Sequence, residues 1–290
     1  MRLARSTTVA AVTGTLVAGT ALAASAITGG TVDSGNTYSN VALIAFYSEG
    51  ARYRCSASLI SPTLLLTAAH CTDGVTGKVA VTFDWKVAEA PPSPLPTAKD
   101  PDAGYTQAQL QEAGYLSGDA NTHPDYSNFT DLRNWNDVGV VVLDKPVNDD
   151  IKPVELAPVG YLDQFAPKTL NKTLFTIVGY GTEVRQDAAD NGNMKPTPES
   201  YPMVRRYTDA PGQKLTPQIL QVNGNENDPR GGGGSCFGDS GGPTFHDDLQ
   251  VTVTSYGYTS NCRYLDGLQR VDIPAVQDWL EEAFDFAPAG

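Results

Sequence analysis

The chain has 290 residues, with 33 acidic side chains against 20 lysines and arginines and a formal net charge of −13 at pH 7. That balance argues against nucleic acid or an anionic membrane surface as partner. The length allows one large β domain or two small ones with a substantial core, and no stretch beyond residue 26 is long and apolar enough to cross a bilayer.

Arg2 and Arg5 precede an uncharged run over residues 7–23 that ends in Ala24-Ser25-Ala26. A basic start, an apolar middle and a small-x-small end predict a secretory signal peptide over residues 1–26, and hence an extracellular protein. A membrane anchor is the alternative, but the run is rich in Thr and Gly and shorter than the ~20 apolar residues of a span. Its removal leaves 18 basic residues against 33 acids, net −15. Four cysteines, Cys55, Cys71, Cys236 and Cys262, predict two disulfides in an exported chain, with three pairings open. There is no C-x-x-C pair and the three histidines are scattered, so no metal is expected.

From Ile27 onward, short apolar runs broken by Gly, Pro, Asn and Asp predict an all-β protein. Strands are expected at residues 41–47, 57–60, 64–67, 79–83, 138–143, 174–178, 251–256 and 268–271. A short helical turn is expected within 67–72. Residues 274–284 open on a proline and repeat apolar side chains at three- and four-residue intervals, which predicts a C-terminal helix. Two stretches, 88–121 and 183–227, are rich in Pro, Asp and other turn formers, and are expected as surface insertions. No internal repeat is visible, and no linker is polar enough to separate independent domains.

The stretch GGGGSCFGDSGGP, residues 231–243, sets Ser240 between glycines and directly after Asp239. Glycine permits crowded or left-handed backbone, so such a turn can present a serine hydroxyl beside free N–H groups, as an oxyanion-binding nucleophile requires. A flexible glycine loop is the plainer alternative. A nucleophilic serine needs a base, and the base an orienting carboxylate. His70 ends the run LLTAAHC, where an apolar strand meets a cysteine. His123, in a polar Thr-His-Pro-Asp-Tyr turn, fits a structural role, and His246, in His-Asp-Asp, a solvated hairpin tip. Asp137 stands immediately before the apolar run 138–143, where an acid at the mouth of a buried strand needs a partner such as an imidazole N–H.

Together these stretches resemble the chymotrypsin/trypsin family of serine peptidases. TAAHC (67–71), NDVGVVVL (136–143) and GDSGGP (238–243) are similar to its three catalytic signatures, in the order His, Asp, Ser. ITGG (27–30) resembles the activated N-terminus and HPDY (123–126) the loop preceding the catalytic acid. VGYGT (178–182) is similar to the Gly-aromatic-Gly motif of the second barrel, and SYG (255–257) to the segment that binds substrate backbone. The resemblance spans roughly residues 27–284. It implies two packed antiparallel β-barrels, the first over about 27–150 and the second over about 151–273, then a helix over 274–284, with the site in the cleft between barrels. By the same resemblance His70 is the general base, Asp137 its orienter and Ser240 the nucleophile. The N–H groups of Gly238 and Ser240 would form the oxyanion hole and Ser255 would bond to the acid. The family's local disulfides would be Cys55–Cys71 and Cys236–Cys262. An α/β-hydrolase is excluded by chain order, because its histidine follows the acid that follows the serine. Here the one histidine after Ser240 is His246, six residues on.

Cleavage after Ala26 would free Ile27, whose amine in the family pairs with the acid before the nucleophile, here Asp239. Thr28 departs from the family's usual valine. Six residues before Ser240, where trypsin-like members carry an aspartate at the base of the specificity pocket, stands Gly234, followed by Ser235. Counting back from Arg270-Val271 puts Asp266 on the opposite wall, a relocated carboxylate for Arg or Lys. A one-residue slip puts Gly267 there and makes the pocket neutral, suited to apolar side chains; the neutral pocket is preferred. Gly257 leaves the entrance open, and Tyr256 keeps an aromatic platform where the family usually has tryptophan. The expectation is a secreted, monomeric serine endopeptidase with polypeptide substrates and no cofactor, whose cleft would also take a proteinaceous inhibitor. Few carboxylates (Asp73, Asp84) follow His70, so a family-type calcium site is not expected. The rival is a peptidase-like binding protein without catalysis, which the three intact triad positions oppose.

Overall fold

In the computed structural model, residues 27–185, 197–199 and 201–288 are described; the expected signal peptide lies outside them. Six strands form a first closed barrel: Val41–Ser48 (β1), Ala51–Ser61 (β2), Leu64–Thr67 (β3), Thr76–Thr82 (β4), Leu116–Thr122 (β5) and Gly139–Leu143 (β6), in the order β1-β2-β3-β6-β5-β4. Six more form a second: Leu174–Gly179 (β7), Arg206–Leu215 (β8), Ile219–Asn223 (β9), Pro243–His246 (β10), Leu249–Gly257 (β11) and Leu265–Arg270 (β12). The second order is β7-β8-β9-β12-β11-β10, closed by antiparallel pairing of β10 with β7. Counted from its own first strand, each barrel therefore has the same connectivity, a structural repeat that the sequence does not show. Closure leaves no barrel strand with an unpaired edge.

The apolar run of β1 explains how the two barrels meet. Alternate side chains of a strand point to opposite faces. Ala42, Ile44 and Phe46 enter the interior of the first barrel, packed with Leu59, Leu65, Val81 and Val141. Val41, Leu43 and Ala45 face a second apolar layer that includes Val178, Val253 and Leu280 of the other half of the chain. A strand buried on both faces reads as a continuous apolar run. The second barrel fills its own interior with Phe175, Ile177, Leu220, Val222, Val251 and Leu268.

Both stretches expected to be surface insertions contribute barrel strands. β5 closes the end of the first stretch, and β8 and β9 lie wholly inside the second. In β8, RYTDAPGQKL, the buried positions include Arg206, Thr208, Pro211 and Gly212, so polar and small residues conceal the alternation. In β5 the buried Gly118 is small of necessity: a Cβ there would lie 2.6 Å from both Val141 Cγ1 and the Val142 carbonyl oxygen. What remains of the first insertion carries a short helix, Gln107–Glu112 (α1), started by a capping box between Thr106 and Gln109. β2 begins at Ala51, six residues before the expected strand, because its polar start projects beyond the barrel.

Each end of the described chain crosses to the other barrel. Thr31–Val32 pairs with β8. The C-terminal helix Pro274–Phe284 (α2) follows the second barrel but is held by His123 of the first, whose Nε2 donates to the Ala275 carbonyl at 2.9 Å and whose ring lies 4.9 Å from that of Trp279. Between the barrels Arg205 is wholly buried. It donates to Asp33 (2.8 Å), to the carbonyls of Val41 (2.8 Å) and Phe83 (3.1 Å), and to the Tyr180 hydroxyl (3.0 Å). His246 is not the solvated tip expected of it. Its Nδ1 is 2.8 Å from the Tyr161 hydroxyl and its ring packs among Tyr161, Phe165 and Phe175. The exposed tip is Asp247-Asp248, with positive φ at both residues (50° and 66°), as a tight hairpin turn demands.

Candidate active site

β3 ends at Thr67, and Ala69–Cys71 turn once as a 3-10 helix. Cys71 is joined to Cys55 of β2, Cα to Cα 6.3 Å, which fixes the turn that carries His70. Thr67 pairs with Gly139 at the start of β6, so the residues flanking this end of the two strands, His70 and Asp137, are brought together by register. Asp137 is fully buried. Its Oδ1 accepts the His70 main-chain N–H (3.0 Å), and its Oδ2 accepts His70 Nδ1–H (2.9 Å) and the Ser255 hydroxyl (2.5 Å). A carboxylate can only accept, so Nδ1 carries the proton and the lone pair of His70 lies on Nε2.

The serine comes from the second barrel. In the loop after Ser235, Cys236 N–H is spent on the Asp239 carboxylate, Asp239 N–H on the Cys236 carbonyl, Gly241 N–H on the Thr254 carbonyl and Gly242 N–H on the Asp239 carbonyl. The amides of Phe237, Gly238 and Ser240 find no acceptor among the described residues. Gly238 sits at φ +98°, a conformation that favours glycine and leaves its N–H free. The Ser240 carbonyl accepts from Ser56 N–H of β2 at 2.8 Å, which seats the loop on the first barrel. Cys236 is joined to Cys262, Cα to Cα 5.2 Å. His70 and Ser240 line one cavity of about 450 Å³, continued by Ser235, Ser255, Tyr256 and Gly257. Phe129, at φ +60°, sets its ring 5.7 Å from that of His70.

Next to Ser235, which lines the pocket, a Cβ on Gly234 would lie 2.3 Å from the Gly224 Cα and 2.6 Å from Asp266 Oδ2, so only glycine fits. The buried Asp266 accepts Ser235 N–H at 2.7 Å. Burial pushes its carboxyl up to about 7, against the pull of Ser235 and with a further push from Asp239. Gly267 instead lies under the Tyr256 ring, where a Cβ would come within 2.2 Å of it. Asp239 is also buried and accepts Gly181 N–H (2.7 Å) and Cys236 N–H (2.9 Å). Burial pushes it up to about 7, while those amides, Arg54 and Arg206 pull the other way. Ile27 is wholly buried, and the adjacent Thr28 bridges to Gly234. Among the described residues the grouping with metal-ligand chemistry is Cys55, His70 and Cys71, and its two sulfurs are already bonded to each other.

Sequence reasoning did not single out several residues that hold this site. Trp135 Nε1 donates to Ser255 Oγ at 3.1 Å, completing a chain from indole to hydroxyl to carboxylate. Gln269 Oε1 accepts Asp137 N–H at 3.1 Å, and its amide in turn donates to Gln218 at 3.0 Å. Gln218 exchanges hydrogen bonds with Asn136, which stands at φ +44°. Trp135, two positions before Asp137, offered a local signal. The glutamines lie about 80 and 130 residues away in sequence and offered none.

A family model described as Trypsin matches residues 27–280. Brachyurin of Leptuca pugilator is 29% identical over 245 residues, covering 81% of this chain and 90% of that protein. Among solved structures, HL collagenase superposes with a TM-score of 0.59 at 18% identity, covering 86% of this chain and 94% of its own. Human heparin binding protein superposes at 0.56 and 16% identity, covering 90% and 98%. The last is named for binding, so the fold alone does not separate chemistry from recognition.

Proposed function

The chain belongs to the trypsin family of serine peptidases, and from that premise we propose that His70, Asp137 and Ser240 carry its endopeptidase chemistry. The family's reaction is peptide-bond hydrolysis through an acyl-enzyme. One observation carries the assignment: an imidazole whose Nδ1 is held by a buried carboxylate shares a cavity wall with a serine beside unspent backbone amides. Ser240 Oγ attacks the scissile carbonyl and His70 Nε2 takes its proton. Asp137 holds the ring and stabilises the imidazolium. The N–H groups of Gly238 and Ser240 receive the oxyanion, an effect worth roughly 10²–10³ in rate per donor. His70 then protonates the leaving amine, and water, deprotonated by the same nitrogen, releases the acyl product.

The specificity pocket is read as one with a buried carboxylate. Asp266, rather than Gly267, contacts Gly234 and the pocket-lining Ser235, which favours Arg or Lys when that group is ionised and apolar side chains when it is not. Activation is proposed to follow signal cleavage after Ala26, the freed Ile27 amine supplying a cation to Asp239. N-terminal sequencing of fully active secreted protein checks this, and a start upstream of Ile27 would sink it. The two disulfides suit an oxidising, extracellular setting.

Covalent labelling by a phosphonylating reagent tests the central assignment. The parent protein gains one label on Ser240 and loses peptidase activity, whereas Ser240→Ala does neither. A folded parent protein that takes no label and cleaves no peptide would instead be a binding protein on this fold.

A further inference from the structure

A second cavity, of about 370 Å³, shares Phe237 with the pocket that holds His70 and Ser240 and is also lined by Gly238. Arg52 and Arg54 line it together with Tyr201 and Met203. Cationic groups are scarce on a chain of net charge −13, so two in one cavity are a departure from the rest of the surface. Their states differ. Arg52 Nη1 is spent on the carbonyls of Leu95 (3.1 Å) and Pro96 (2.8 Å). The half-buried guanidinium of Arg54 makes no hydrogen bond among the described residues. It lies beside the oxyanion loop: a Cβ on Gly238 would meet Arg54 Nε at 3.1 Å. The carboxylate it senses, Asp239, is already engaged by two amides.

A partly desolvated guanidinium without an acceptor costs free energy that a bound anion recovers. By the family resemblance of Ser255-Tyr256-Gly257 the acyl half of a substrate would run along that segment, which leaves the Gly238 side of the site to the leaving half. Resting on the peptidase assignment above, we propose that Arg54 forms a carboxylate-binding subsite for substrate residues on the leaving-group side of the scissile bond. The ligand class is an Asp or Glu side chain within the first few residues after that bond, gripped through two guanidinium N–H groups in the planar fork that suits a carboxylate.

The test uses the secreted, active protein and peptides cleaved at one bond, carrying Glu, Gln or Lys at the first, second or third position after it. At one position the ratio of kcat/KM for Glu over Gln is expected to be about tenfold, and Lys to be disfavoured relative to Gln. Arg54→Gln brings the Glu-to-Gln ratio to about one, and Arg54→Lys, which keeps a point charge without the fork, leaves an intermediate ratio. Labelling of Ser240 confirms that each variant is folded; if Arg54→Gln is not, the ratio in Arg54→Lys and its decline with salt decide. A parent protein that cleaves the Gln peptides but shows a ratio near one at all three positions overturns the subsite while leaving the peptidase assignment intact. So does a tenfold ratio that survives in Arg54→Gln. Failure to cleave any peptide overturns the assignment itself.

Discussion

Ionisation of Asp266 should set the selectivity of the enzyme as pH passes through neutrality. The group is buried, accepts from Ser235, and is pushed up to about 7 by that burial. With that midpoint, about one-tenth of the carboxyls are ionised at pH 6 and about nine-tenths at pH 8, so preference for a cationic over a neutral isostere should rise about tenfold across the interval. The assay compares kcat/KM for two peptides that differ only in arginine or citrulline before the scissile bond. The triad acts on both substrates alike, so its own pH dependence cancels in the ratio. Because kcat/KM reports the free enzyme, arginine's own pull on the bound carboxylate does not move the midpoint. The sign is definite: the arginine preference appears as pH rises, since only the ionised form attracts the guanidinium. Asp266→Asn should give a flat ratio at the low-pH value. A flat profile in the parent enzyme between pH 5.5 and 8.5 would refute a titrating pocket acid, and a rising profile in Asp266→Asn would place the acid elsewhere.

Two further substitutions probe the framework. Arg205→Met removes the five hydrogen bonds that join it to Asp33, Asn36, Val41, Phe83 and Tyr180, and leaves Asp33 to its remaining amide donors, Thr37 and Tyr38. Breaking such a buried pair costs about 3–5 kcal/mol, read from urea unfolding, and a loss under ~1 kcal/mol would show that the clasp is redundant. Gln269→Leu leaves the Asp137 amide without its acceptor and loosens the acid that orients His70. The expected result is a fall in kcat of about tenfold with little change in KM and a displaced acid limb in the pH–rate profile, whereas a purely structural role would lower stability and leave that limb in place.

The legibility of the chain varied with what each residue has to do. The proposed triad residues stood out in the sequence because nucleophile, base and orienting acid are restricted to few residue types, and each sits where an apolar strand or a glycine turn fixes it. Strands buried on both faces, such as β1 and β6, were readable as unbroken apolar runs. β8 and β9 were hidden. The inward positions of β8 are filled by Thr208, Ala210 and Gly212, which look like loop composition, and β9 is a five-residue strand between turn formers. His246 misled in the opposite direction, because its acidic neighbours at the turn masked an aromatic site for its own ring. The glutamine pair behind Asp137 had no local signature at all. Long-range polar pairing depends on register between distant strands, which composition does not encode.

The exchange of chain ends between barrels bears directly on catalysis. A triad drawn from two separately closed barrels works only if their relative position is held to within a fraction of an ångström. Apolar contact alone resists sliding weakly, because packed faces of similar side chains have several near-equivalent registers. Hydrogen bonds across the seam do not. Ser56 of β2 receives the Ser240 carbonyl on its N–H, donates through its hydroxyl to the Gly238 carbonyl at 2.9 Å, and accepts Tyr180 N–H at 2.9 Å. One residue of the first barrel thus fixes both Ser240 and Gly238, the proposed nucleophile and oxyanion-hole glycine. Ser58, one step further along the same face of β2, bonds to Gln250 of β11 at 2.7 Å. Ser56 and Ser58 are therefore buried because they set alignment, and an apolar residue at position 56 would pack well while leaving Ser240 free to drift from His70.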